Sequence, residues 1–194
     1  MNNFENDINE CCRILDKGGL ILYPTDTIWG IGCDATNKTA AEKIYNLKRR
    51  LEKKSMIILI ADQNDIFNYV ENPSDSHQDK IFEFLSSAEK PTTVIYQHAK
   101  NIAQNIINSD GTIAIRIIKD EFCKTLIKQF KKPIVSTSAN ESGKAFPKNF
   151  NEIDPLIKNG VDYIVQHRQN DLIISQPSSI IKLNPEGKIE VLRS

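Results

Sequence analysis

Four polar segments interrupt otherwise apolar stretches of this chain, and each has residue types able to hold an anion. The first, Pro24-Thr25-Asp26-Thr27, directly follows the apolar run Leu20 to Tyr23. Small hydroxyls at the carboxyl end of a strand often face a ligand in α/β sheets, while Pro-Thr-Asp also suits a plain turn. The second, Lys48-Arg49-Arg50, is followed by Lys53 and Lys54. Cations so dense fit a triphosphate or a nucleic-acid backbone; at a helix C-terminus they would equally complement its dipole. The third is Arg116, set among Ile113, Ile115, Ile117 and Ile118. Period two puts Thr112, Ala114 and Arg116 on one face of a strand and Ile113, Ile115 and Ile117 on the other, so the arginine faces either solvent or a cleft. The fourth runs from Ser136 to Gly143 (Ser-Thr-Ser-Ala-Asn-Glu-Ser-Gly) after the apolar Ile134-Val135. Its hydroxyls, amide and glycine offer donors to phosphate or carboxylate oxygens, or make an ordinary loop.

The common catalytic signatures are missing: there is no GxxxxGK[ST], GxGxxG, GxSxG or HExxH. His77, His98 and His167 are scattered through polar stretches and read as surface residues. No Ser-His-Asp set and no carboxylate pair stands out. An enzyme made of these parts works by holding anions rather than through a protein nucleophile. Cys11, Cys12, Cys33 and Cys123 form no CxxC pair and have no His at zinc spacing, so no protein-built metal site is expected. Their sparse, irregular placement suits a reducing cytosol better than a disulfide framework.

The elements that must position these segments follow from periodicity and turn chemistry. Ile8, Cys11, Cys12 and Leu15 recur at i, i+3, i+4 and i+7, predicting a helix over Asp7 to Lys17 that Gly18-Gly19 ends. Strands are predicted at Leu20 to Tyr23, Met56 to Ile60, Thr92 to Tyr96, Thr112 to Ile118 and Pro133 to Ser136, and Ile28 to Cys33 is a further apolar segment in which Gly30 and Gly32 signal bends or close backbone approach. Helices are predicted at Thr39 to Arg50, Asp79 to Ser87 and around Phe122, Leu126 and Phe130, with a short one within Asn149 to Asn159. A short strand at Asp162 to Val165 precedes a hairpin, Ser179 to Leu183 and Lys188 to Leu192, turning at Asn184-Pro185-Glu186-Gly187. This alternation predicts an α/β (α+β) fold with a mixed sheet.

No repeat, low-complexity stretch or linker divides the chain, so residues 1–194 read as a single domain with one sizeable core. With 25 Lys plus Arg against 25 Asp plus Glu, no global field draws nucleic acid or an anionic membrane, and any anion site must be local. The longest apolar run, Met56 to Ala61, is far too short to span a bilayer. Met1 to Glu10 is polar and acidic, unlike a secretory signal, so a cytoplasmic protein is expected.

In this order and at these spacings, the segments resemble the YrdC/TsaC family, the L-threonylcarbamoyladenylate synthases, from about Gly18 to Arg193. The resemblance rests on Tyr23 to Gly32, on a Lys-x-Arg signature at Lys48-Arg49-Arg50 and on a Ser-x-Asn signature at Ser138-Ala139-Asn140. Pro91-Thr92-Thr93, Thr112 to Arg116, Pro177 to Ile181 and Val191-Leu192-Arg193 add weaker likeness. It implies a twisted mixed sheet with flanking helices and a concave basic cleft. It also implies a reaction in which threonine takes up carbon dioxide or bicarbonate, and the carbamate attacks the α-phosphate of ATP, expelling pyrophosphate. By resemblance, Thr27, Arg116, Ser138 and Ser178 hold threonine. Lys48, Arg50, Lys54, Thr112, Asn140, Lys148 and Arg193 line the nucleotide, with Lys48 and Arg50 as electrostatic catalysts. Mg²⁺ would arrive with ATP, held mostly by phosphates and water.

The expected partner is the complex that transfers the threonylcarbamoyl group to tRNA, with weak direct RNA binding at most. Two further readings stand beside this one: a double-stranded RNA-binding module, and the carbamoyl-adenylate-forming domain of hydrogenase maturation proteins. Several positions depart from the family pattern. Leu51 follows Lys-x-Arg in place of proline, Ser55-Met56 replaces Pro-Leu, Lys90 replaces a glycine, and Ile118 replaces a proline. Leu59 stands where some relatives place a histidine against threonine, so that contact is absent or replaced. With Ser194 directly after Arg193, the short form without an added C-terminal domain is expected.

Overall fold

The computed structural model describes residues 4–49, 56–71, 75–172, 176–183 and 188–194. Helix α1 (Glu5–Asp16) buries Ile8, Cys11 and Leu15 along one face. It ends where Gly18 turns to φ +67 and the Gly19 amide donates back to the Ile14 carbonyl. Asn37 caps α2 (Lys38–Leu47) by accepting from the Ala40 amide. This helix stops at Leu47 rather than at the expected Arg50, because Lys48 caps it and Arg49 adopts φ +50. A short α3 (Ile66–Tyr69) precedes α4 (Asp75–Ser87), which begins before the expected Asp79. Its opening residues, Asp75-Ser76-His77-Gln78, hold no apolar side chain for periodicity to register. In α5 (Glu121–Phe130) the Asp120 carboxylate accepts from the Cys123 amide, and Lys131 closes the far end at φ +60. Asp154 and then Pro155 start α6 (Pro155–Asn159).

The strands are β1 (Ile21–Tyr23), β2 (Gly30–Gly32), β3 (Ile57–Ile60), β4 (Thr92–Tyr96), β5 (Ile113–Ile117), β6 (Ile134–Ser138), β7 (Tyr163–Ile164), β8 (Ser179–Leu183) and β9 (Ile189–Arg193). They form one mixed sheet in the order β7-β1-β2-β6-β3-β5-β4-β8-β9. The β1–β7, β3–β5 and β4–β8 pairs are parallel, and the others are antiparallel. Strand β6 pairs with β3 through Ile134 to Ser136 and with β2 through Thr137 and Ser138. It therefore continues past the expected end at Ser136 and carries Ser138 on the sheet instead of in a loop. The expected hairpin is the antiparallel β8–β9 pair, and its turn at Asn184 to Gly187 lies outside the described residues.

Apolar side chains separate onto the two sheet faces. On one, Leu22, Ile31, Ile58, Ile113 and Ile115 pack against Ala40, Ala41 and Ile44 of α2. On the other, Ile21, Tyr23, Leu59 and Ile134 pack under Leu15 of α1 and Phe122, Leu126 and Phe130 of α5. Each such aliphatic side chain contributes about 1.5–3 kcal/mol on burial. Gly32 permits a tight approach within this layer: a Cβ there would sit 2.7 Å from Tyr23 Cε1 and 3.0 Å from the Val135 carbonyl. His167 is not the isolated surface residue expected, since its ring lies 5.0 Å from Phe4 and 5.5 Å from Phe122. Nearby, the buried Asp7 accepts from Tyr163 Oη and from the Gln166 and His167 amides, tying α1 to the segment after β7. Among the described residues no helix is long and apolar enough to cross a membrane.

Candidate functional site

The face that bears Leu59 also bears Arg116, its register partner across β3 and β5. Along this face opens a cavity of about 270 Å³, floored by Gly30, Ile57, Ile95, Ala114, Arg116, Ser136, Ser138 and Ile180 from strands of the same sheet. Thr27, Ile28, Phe146, Pro177, Ser178 and Arg193 enclose its rim. The four residues expected to hold threonine, Thr27, Arg116, Ser138 and Ser178, thus meet in one place, together with Arg193 from the nucleotide set. The volume suits a small amino acid but falls below the ~300–1,000 Å³ of larger-ligand sites, so a nucleotide would extend beyond it.

Arg116 is only 3% exposed. Of the two readings open to it in the sequence, a solvated outer face or a cleft, the second holds. Its Nη2 lies 3.2 Å from Asp26 Oδ1, while its Nε has no hydrogen-bond partner among the described residues. Burial pushes the Asp26 carboxyl above its ordinary value against the pull of Arg116. Asp26 oxygens are enclosed, so this residue backs Arg116 instead of facing the cavity. On the opposite rim, the Arg193 Nε and Nη2 both donate to the Ser178 carbonyl. Burial, and then the nearby Arg116, hold the Arg193 guanidinium below its usual value. Two guanidiniums converging on hydroxyls make a receptor for carboxylate or phosphate oxygens.

The Pro24–Thr27 segment is both a turn and a rim of the cavity. Thr25 Oγ1 donates to the Ile28 carbonyl, at 2.8 Å, and accepts from the Thr27 amide. A hydroxyl has one proton, so in the 2.9 Å contact between the two threonine hydroxyls Thr27 is the donor. Thr27 Oγ1 therefore turns a lone pair to the cavity and would accept from a ligand N–H or O–H. Ser178 Oγ, 2.8 Å from Thr93 Oγ1, is held in a similar pair.

Other expected residues lie elsewhere. The Lys48 ammonium is buried under the Ser-x-Asn segment, where it donates to the carbonyls of Ser138 and Asn140, the latter at 2.6 Å. The Ser142 amide returns a bond to the Lys48 carbonyl, so this lysine staples the end of α2 to the segment that carries Ser138. Asn140 Nδ2 donates to the Lys144 carbonyl across the same loop. Thr112 does not line the cavity: its hydroxyl donates to Asp110 Oδ1 and accepts from Asn108 Nδ2, closing the turn before β5. Lys148 lines a shallow groove beside Thr27, shared with Trp29, Arg168 and Asp171. Leu59 is fully buried in the core beneath α1 and α5 and does not reach the cavity. Arg50 and Lys54 lie outside the described residues. Asp26, Ser136 and Phe146 were not assigned to the site from sequence. Asp26 carried a signal as the acid within Pro-Thr-Asp-Thr, and Ser136 as the first hydroxyl of the Ser136–Gly143 segment.

A twisted mixed sheet bearing a cleft in which the buried Arg116 and the exposed Arg193 face hydroxyls defines an α/β protein whose site suits small anions. The Sua5/YciO/YrdC family model, described as telomere recombination, matches residues 13–194, and the chain belongs to this family. A threonylcarbamoyl-AMP synthase of Idiomarina loihiensis is 34% identical over 159 residues, covering 82% of this chain and 85% of that one. Among solved structures, P. abyssi Sua5 complexed with L-threonine gives a TM-score of 0.82 at 22% identity, covering 97% of this chain and 54% of that one. This chain thus spans about half the length of that protein. E. coli YciO gives a TM-score of 0.82 at 22% identity, covering 97% of this chain and 89% of that one. At these identities the two structures share the fold.

Proposed function

We propose that this chain is an L-threonylcarbamoyladenylate synthase, forming threonylcarbamoyl-AMP and pyrophosphate from L-threonine, bicarbonate and ATP for tRNA modification. The observation that carries the reading is the cavity where Arg116 and Arg193 converge on Thr27, Ser138 and Ser178. Its relatives of matching length are synthases of this kind, which favours it over an RNA-binding module or a hydrogenase-maturation domain. The nine strands pair into one sheet, supporting residues 1–194 as a single domain. We place it in the cytoplasm, in keeping with four cysteines that form no disulfide.

In this reading Arg116 takes the threonine carboxylate, and Thr27 Oγ1 accepts from the substrate amine or hydroxyl. The amine attacks carbon dioxide and loses a proton to water or a phosphate oxygen, giving the carbamate. A carbamate oxygen then bonds to the α-phosphorus as the bond to the β-phosphate oxygen breaks, and pyrophosphate leaves. Such a transfer asks for positioning and fixed positive charge rather than a nucleophile. Arg193, Asn140, Lys148, Lys54, Arg50 and Lys48 are the groups we assign to the nucleotide. For Lys48 to reach a phosphate, its ammonium would share the two carbonyls it now serves. Thr112 is tied into its turn and would act only through backbone position. Mg²⁺ would come with ATP: the hydroxyl and guanidinium lining suits phosphate oxygens, which would hold the ion with water. The product would pass to the machinery that modifies tRNA.

The test is incubation with ATP, bicarbonate, Mg²⁺ and labelled threonine. The expected result is pyrophosphate and labelled threonylcarbamoyl-AMP in equal amounts. Absence of both, with a folded protein, would sink the proposal.

A further inference from the structure

Arg168 adopts φ +66, a left-handed conformation unusual for a residue with a side chain. Its guanidinium is anchored on three sides. Nε donates to Asp171 Oδ2 at 3.0 Å, and Nη1 donates to Asp120 Oδ2 at 3.0 Å and to the Thr25 carbonyl at 3.2 Å. Asp120 also caps α5 through the Cys123 amide, and Cys123 Sγ donates to the Pro24 carbonyl at 3.2 Å. Two successive carbonyls of the Pro24–Thr27 turn are therefore gripped from outside: Pro24 by α5, and Thr25 by Arg168. What they fix is Thr25, whose hydroxyl orders the Thr27 amide and hydroxyl. Thr27 in turn lines the cavity.

We propose that Arg168 is a positioning residue for the site: by clamping the Thr25 carbonyl against Asp120, it holds the turn so that Thr27 presents its oxygen to the substrate. The inference rests on the reading of the cavity as a threonine site. Arg168 touches no reacting atom in this scheme. Its side-chain charge is spent on two carboxylates and one carbonyl, and the two N–H groups of Nη1 are what join the turn to α5. A backbone conformation that disfavours arginine is tolerated because those three anchors oppose it.

Glycine is the informative replacement, because it accepts this φ freely and removes only the clamp. For R168G we expect the unfolding midpoint to be kept, KM for threonine to rise about tenfold, and KM for ATP to change by less than about twofold. Lysine at the position, with one compact charge, should recover part of the threonine KM in R168K. Amide exchange at Thr27 should quicken about tenfold in R168G, while amides in the middle of α5 keep wild-type protection. An unchanged threonine KM, or equal rises in both KM values, would overturn the assignment. If the wild-type chain makes no product from threonine, the site reading fails, and Thr27 exchange alone decides: wild-type protection in R168G and R168K overturns the clamp.

Discussion

Arg116 carries its charge where water hardly reaches it, and the carboxylate oxygens of its counter-charge Asp26 are enclosed too. A buried carboxylate left without its cation is costly, on the order of 3 kcal/mol or more. R116A should therefore lose about that much stability near pH 7, besides losing threonine binding. The pH dependence follows from the direction of the Asp26 shift. Its carboxyl in the folded protein lies above the 3.8 of an ordinary aspartate, so the folded state binds more protons between the two values. Stability from this group is then fullest below the unfolded value and is lost as pH rises through the folded one. Without Arg116 the upper limit climbs further. The stability deficit of R116A relative to wild type should shrink on going from neutral pH to about pH 5, and D26N/R116A should regain stability and lose that slope. Urea unfolding of the three proteins at both pH values measures this; a deficit independent of pH would contradict it.

At the scale of elements, the site depends on strands that come closer than side chains usually allow. Strand β2 lies between β1 and β6, and Gly30 and Gly32 leave the space that the neighbours fill. At Gly32 the obstacle to a Cβ is partly the Val135 carbonyl, which cannot swing aside as a side-chain end can. G32A should lower stability by about 2 kcal/mol, or roughly 4–8 °C in Tm, read from a thermal melt. A wild-type Tm would mean that β1 and β6 yield more than packed strands should. The end of α2 matters in another way. Read from sequence, Lys48 sits at the end of a helix with its charge set either toward phosphate or against the helix dipole. In the fold it is the cap residue, and its ammonium serves carbonyls at the end of β6 and just beyond it.

For the molecule as a whole, the nine strands among the described residues pair into one sheet with helices on both faces. Trp29, the sole tryptophan, is buried against Phe150 beside the Thr27 rim, so its emission reports on the site. A single cooperative unit predicts that Trp29 fluorescence and far-UV circular dichroism fall together in urea. Two separated midpoints would divide the site from the rest of the sheet.

Much of this architecture was legible in the residue order alone. The stripe of Ile8, Cys11 and Leu15, the stripe of Phe122, Leu126 and Phe130, the alternation through β5 and the β8–β9 hairpin are local signals, written within a few residues of where they act. The start of α4 was not legible, because its first turn carries no apolar residue. Recognition of the motifs gathered Thr27, Arg116, Ser138, Ser178 and Arg193, and the fold brings these five to one cavity. It was the tertiary structure that separated Thr112 and Leu59 from that cavity and turned Lys48 toward carbonyls. It also paired Asp26 with Arg116 and reached from Arg168 to Thr25. Those last contacts join residues 90 and 143 positions apart in the chain. Hydrophobic period and turn chemistry act over a few residues, whereas the partner of a buried charge is whatever the finished sheet places beside it.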